Sequence, residues 1–120
     1  MNDRQQTEAI DPAELPEAIT RYLDARQVKD TPRALSAFAA DAVVIDEGKT
    51  YTGAKATENW MTEVATKYTY TVELISADRT DLSCYVVTNH LEGDFPGGEV
   101  DLRFQFTLEG GLIKNLTIEP

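Results

Sequence analysis

From Glu99 to Leu108 the residues alternate without a break: Val100, Leu102, Phe104, Phe106 and Leu108 are apolar, and Glu99, Asp101, Arg103, Gln105 and Thr107 are polar. A period of two sends successive side chains to opposite faces of a strand, so this segment has one face against a core and the other against water or a second subunit. No other feature restricts the fold as much, because a long half-buried strand needs neighbours to pair with and a layer to cover its apolar face. The neighbours follow the same rule: Tyr70, Val72 and Leu74 alternate with polar residues, and Tyr85, Val87, Asn89 and Leu91 form a second such series. Asp94-Phe95-Pro96-Gly97-Gly98 and Glu109-Gly110-Gly111 supply turns, and Leu112 to Ile118 reads as a last strand.

The covering layer comes from the first half of the chain. Asp11 before Pro12, with Glu14 three residues on, reads as an N-cap, a proline at the first helical position and a capping box. Leu15, Ile19, Tyr22, Leu23 and Arg26 then recur at helical spacing. Thr31-Pro32 repeats the cap signal, and Leu35, Phe38 and Ala39 are expected to form the stripe of a short second helix ending near Asp41. Val43-Val44-Ile45 and Thr50-Tyr51-Thr52 flank the Glu47-Gly48-Lys49 turn as a hairpin. Thr57, Trp60, Met61, Val64 and Tyr68 share one face of a third helix. The expected order is ααββαββββ, an α+β domain in which a curved antiparallel or mixed sheet with three helices in its N-terminal half closes into a cone around a pocket. One domain over 12–120 would follow a flexible tail over 1–11.

Charge and cysteine usage narrow the function classes. The 120 residues carry 11 basic and 21 acidic side chains, a net charge of −10, with 42% hydrophobic residues. That is enough apolar material for a single core. Nucleic acid and anionic membranes are excluded as expected partners, since both are bound through clustered Lys and Arg. Cys84 is the sole cysteine and cannot form an internal disulfide, and no Cys/His cluster has zinc-type spacing, so neither a metal nor a cofactor is expected. Met1 to Thr7 is polar and no apolar run approaches a membrane span, which makes a cytoplasmic protein the expectation.

Several strings carry a resemblance. They are Ile19-Thr20-Arg21-Tyr22-Leu23, the run from Ala37 to Asp46, Tyr51-Thr52-Gly53, and Phe104 and Phe106 followed by Gly111-Leu112-Ile113. From about Leu15 to Ile118 the chain resembles the nuclear transport factor 2-like superfamily, in its SnoaL-like and ketosteroid isomerase-like branch. The resemblance implies a cystatin-like cone, a pocket for an apolar small molecule and a homodimer through the outer sheet face. Ketosteroid isomerases use a tyrosine as oxyanion donor, an aspartate as base and a second, protonated aspartate. The resemblance puts Tyr22 on the tyrosine and Asp46 on the base. It puts Leu102 where the protonated aspartate should be, and the neighbouring Asp101 has the wrong parity to point inward.

Each candidate also has a plainer role. Asp46 continues the core side of the strand that carries Val44, which suits a partly desolvated base, but it could equally cap the following turn. Tyr22 lies in an apolar helical stripe and could simply pack. His90, the one histidine, is a candidate acid or base whose facing the pattern leaves open, because both sides of its strand carry apolar residues. Phe38, Val44, Trp60, Met61, Leu102 and Phe104 are the expected pocket wall. Asp78, Asp81, Glu92, Asp94 and Glu99 read as a solvated rim. Two functions follow: a small-molecule-binding domain with cofactor-free acid–base chemistry on a carbonyl compound, of isomerase or cyclase type, or a non-catalytic ligand-binding or dimerisation module. A catalytic site needs Asp46 and Tyr22 within reach of one empty pocket, whereas a binding module needs only the pocket.

Overall fold

A computed structural model describes residues 7–120. Seven strands, β1 (Glu8–Ile10), β2 (Phe38–Asp46), β3 (Lys49–Thr52), β4 (Tyr70–Asp81), β5 (Cys84–Gly93), β6 (Glu99–Glu109) and β7 (Leu112–Glu119), form one sheet in the order β1-β4-β5-β6-β7-β2-β3. All neighbours run antiparallel except β2 and β7, which are parallel. Helices α1 (Glu17–Gln27), α2 (Thr31–Leu35) and α3 (Ala54–Lys67) cover the concave face, giving the open cone-shaped α+β architecture that the alternation demands. No helix among the described residues is long and apolar enough to cross a membrane.

The apolar phase of β6 does face the core: Phe104 and Phe106 are buried, whereas Glu99, Asp101 and Arg103 are exposed. Ile19 and Tyr22 of α1, Trp60 and Met61 of α3, Val44 of β2, Val87 of β5 and Leu116 of β7 complete the same core. Tyr22 sits at its centre, edge-on to Phe38 with ring centroids 5.3 Å apart and to Phe106 at 5.9 Å. Gly93 ends β5 where the chain crosses the start of β4. A Cβ there would collide with the Thr69 carbonyl and with Tyr70, so the close approach that fixes Tyr70 requires glycine.

The first half differs from its expected layout in three places. The Asp11 capping box forms, but it closes only a 3₁₀ turn at Pro12–Glu14, and α1 starts afresh at Glu17. The cause is Pro16, which disfavours helical geometry at Leu15, a residue here extended with ψ 144°. Of the 1–11 tail, residues 1–6 lie outside the described residues, and Glu8–Ile10 pairs with β4 as an edge strand. The expected second helix stops at Leu35, and Phe38 to Asp41 belongs to β2. There β2 pairs with β7, its register shifting between Phe38 and Val43. Leu82, in the turn between β4 and β5, is 80% exposed.

Candidate functional site

Tyr22 and Arg26 are one helical turn apart on α1, which points both side chains at the sheet. Arg26 donates to the Tyr22 hydroxyl and, at 2.5 Å, to the Tyr70 hydroxyl at the start of β4. Its guanidinium lies 5.4 Å from the ring centroid of Tyr22 and 5.4 Å from that of Trp60. Burial pushes the Tyr22 phenol up to about 12, with Arg26 only partly opposing the shift. Tyr22 is therefore a neutral hydroxyl in any physiological buffer. Asp46 ends β2 on the core side, as its parity with Val44 requires, and accepts a 2.9 Å hydrogen bond from Trp60 Nε1 of α3. Burial raises its pKa above the ordinary carboxylate range, against the Trp60 hydrogen bond.

A cavity of about 250 Å³ lies between α1 and the inner face of β4, β5 and β6. Leu23, Val72, Leu74, Leu91 and Phe104 make its apolar wall, Thr20, Asp24 and Gln27 stand on the helix side, and Arg26 and Tyr70 close one end. Asn89 of β5 is 1% exposed at this wall, and its Nδ2 has no hydrogen-bond partner in the protein. A buried amide donor that the protein leaves unmatched is unfavourable by about 1 to 3 kcal/mol. Leu102 sits directly across from Asn89 on β6 in an unbroken antiparallel register.

The structure separates the candidates that the sequence grouped. Tyr22 and Asp46 do lie on the same side of the sheet, but neither lines the cavity: Arg26 covers one hydroxyl and Trp60 covers one carboxylate oxygen. His90 is not in the pocket. Its strand neighbours Val87, Asn89 and Leu91 are the buried ones, which sends His90 to the outer sheet face. There Nδ1 meets Asp101 at 2.6 Å and Nε2 meets Glu92 at 2.9 Å and Glu99 at 3.4 Å. Hydrogen bonds to Asp101 and Glu92 push the imidazole up to about 9, so near neutrality it is a cation among carboxylates. Donor atoms of His90, Glu92 and Glu99 lie within 4.8 Å of one another, the arrangement among the described residues that would suit a divalent ion once His90 lost its proton.

Of the expected pocket wall, Phe104 lines the large cavity, and Met61 lines a smaller one of about 20 Å³ that also reaches Arg26 and Tyr70. Phe38, Val44 and Trp60 are core residues, and half-buried Leu102 packs against the core. Arg26 and Asn89 were the residues to find. Their signal was in the pattern: each is a strongly polar residue occupying an apolar phase, Arg26 in the stripe of α1 and Asn89 in the alternation of β5.

The sequence matches no protein-family model and no curated protein. Among solved structures, a Sinorhizobium meliloti protein provisionally described as a polyketide cyclase is 32% identical, with a TM-score of 0.86 over 92% of this chain and 100% of its own. A Catenulispora acidiphila protein of ketosteroid isomerase-like fold, crystallised with trimethylamine, is 20% identical, with a TM-score of 0.77 over 88% of this chain and 85% of its own. A Mycobacterium tuberculosis protein in complex with estradiol-17beta-hemisuccinate is 20% identical, with a TM-score of 0.73 over 86% of this chain and 90% of its own.

Proposed function

This chain belongs to the nuclear transport factor 2-like superfamily, and on that premise we propose that it binds a small, largely apolar carbonyl compound in the cavity between α1 and the sheet. The observation that carries this reading is the amide of Asn89, buried at the apolar wall with a donor that the protein leaves unmatched. A ligand carbonyl supplies the missing acceptor while its hydrocarbon part covers Leu23, Leu74, Leu91 and Phe104. The place that the resemblance reserves for a second oxyanion donor is held by Leu102. Asn89, opposite it, offers a donor to the same region from the next strand. A complex with a steroid ester in the Mycobacterium tuberculosis neighbour supports an apolar ligand for a cone of this shape. The cavity, about 250 Å³ and open to solvent on one side, has room within it for a short chain or a single ring system.

Acid–base chemistry is the second reading, and the raised pKa of Asp46 favours it, since a partly desolvated carboxylate is a better base. It requires Arg26 to turn away from Tyr22, because both groups are presently occupied and outside the cavity. Binding alone leaves Arg26, Tyr22, Asp46 and Trp60 in their present pairings and needs only the Asn89 side chain to turn its amide to the ligand, and it is the reading that the geometry favours. Calorimetric titration with octan-2-one tests it: the ketone should bind, and Asn89→Leu should weaken binding about tenfold or more, the usual loss for one buried hydrogen bond to a carbonyl. Binding unaffected by Asn89→Leu would remove the assignment of the cavity. Exchange of the ketone α-protons into deuterium oxide separates the second reading, for which Asp46→Asn must slow exchange; equal rates in both proteins are expected.

A further inference from the structure

Arg26 brings a permanent positive charge to the cavity in a chain whose net charge is −10. Its only hydrogen-bond partners among the described residues are two phenols, and no carboxylate oxygen lies within 4.0 Å of it. Two carboxylates stand further off. Asp46 lies in its field but is hydrogen-bonded to Trp60, and Asp24 is exposed at the mouth of the cavity. The guanidinium is thus flanked by aromatic faces and oriented by two hydroxyls, it keeps N–H groups that no hydrogen bond uses, and the residue lines both the large cavity and the small one. A buried cation is ordinarily paired, and its natural partner in an apolar surround is a planar anion that its fork of N–H donors can grip.

We infer that the ligand carries a carboxylate, held by Arg26 at the α1 end of the cavity while Asn89 meets a second oxygen from the sheet. The inference rests on the cavity being the binding site, and it narrows the substrate class from apolar carbonyl compounds in general to apolar oxo acids and their vinylogous anions. Asn89 makes it more than a statement about one arginine, because a second polar residue, 1% exposed and with its amide donor unmatched, lines the same space. Two donors from opposite walls suit a molecule with two oxygens at different points along an apolar skeleton.

The test compares octanoate with methyl octanoate, probes of nearly equal apolar area that differ in charge, by calorimetry near pH 7 in low salt. Octanoate should bind at least about tenfold more tightly, as expected for exchanging a neutral for a charge-assisted hydrogen bond. The preference should vanish in Arg26→Gln and, in the unmodified protein, as the acid is protonated below about pH 5. The second measurement decides the matter even where Arg26→Gln fails to fold. Equal affinity for acid and ester overturns the carboxylate assignment alone and leaves the cavity reading standing. Binding of neither probe overturns both.

Discussion

Asn89→Leu should stabilise this protein. Among the described residues, Asn89 and Thr57 are the polar ones buried almost completely, at 1% and 0% exposure, and they differ in one respect. Thr57 Oγ1 donates to the Gly53 carbonyl at 2.8 Å, whereas Asn89 Nδ2 has no partner. An unmatched buried amide is unfavourable by about 1 to 3 kcal/mol, and leucine has the same γ-branched shape with nothing to satisfy, its larger bulk lying beside the cavity that Asn89 lines, so the substitution should raise stability by about 1 to 2 kcal/mol. With a urea dependence of about 1 to 3 kcal/mol per molar for a domain of this size, the midpoint should rise by about half to one molar at unchanged slope. Thr57→Val is the control, and it should lower stability by about 1 kcal/mol because a satisfied hydrogen bond is lost. Urea unfolding of both variants in ligand-free buffer reads the contrast. A lower midpoint for Asn89→Leu would refute the reasoning, since it would mean that the amide is held by the fold and is not waiting for a ligand. Stabilisation with loss of binding would be the signature of a residue kept for function at the expense of the folded state.

Three further outcomes follow from the same structure. Phe104→Ala should lose about 3 kcal/mol or more, whereas Arg103→Ala, whose exposed pair with Glu119 is 3.0 Å long, should lose under about 1 kcal/mol; comparable denaturant midpoints would overturn the facing of β6. His90 is the one histidine, so its proton resonance can be titrated without assignment, and the midpoint should lie near 9, falling towards the ordinary value of 6.5 as salt is added. Because the folded pKa is raised, the stability that His90 contributes is full below about pH 6.5 and is lost as pH rises through about 9. A midpoint near 6.5 in low salt, or no such pH trend relative to His90→Gln, would contradict the pairing with Asp101, Glu92 and Glu99. The outer face of β4 to β6, with half-exposed Ile75 on β4 and partly buried Val86 and Cys84 on β5, is the surface expected to join two copies, and sedimentation of a monomer at micromolar concentration would rule that out.

The sheet was legible because its signal is local. Val100 to Leu108 alternates over a full strand, and the glycines at 97, 98, 110 and 111 mark where the chain turns, all with positive φ. The elements that were misread are those whose conformation is set by distant partners. Phe38 to Asp41 carries no alternation and looks like the end of a helix, yet β7 recruits it as a parallel neighbour across a register shift. Glu8 to Ile10 becomes a strand only because β4 offers an open edge. Pro16 was the overlooked local signal, and it turned a long first helix into a 3₁₀ turn and a shorter helix. The site was legible to the same degree. Parity placed Asp46 and Tyr22 on the core side, but parity says nothing about what fills the space between them, and Arg26 and Trp60 fill it. His90 could not be faced from its strand alone, since Val86 and Val87 are equally apolar. Its partner Asp101, on the polar phase of β6, held the answer.

The central claim is that the amide of Asn89 is the donor that meets a ligand oxygen inside the cavity. Side-chain amide resonances of asparagine are visible in a nitrogen–proton correlation spectrum, and the pair belonging to Asn89 is identified by its disappearance in Asn89→Leu. Titration with octan-2-one should move that pair downfield in a saturable way, together with the signals of Leu23, Leu74 and Leu91, while the amide of exposed-face residues such as Gln105 stays fixed. An Asn89 pair that does not move while the ketone saturates the protein would contradict the account.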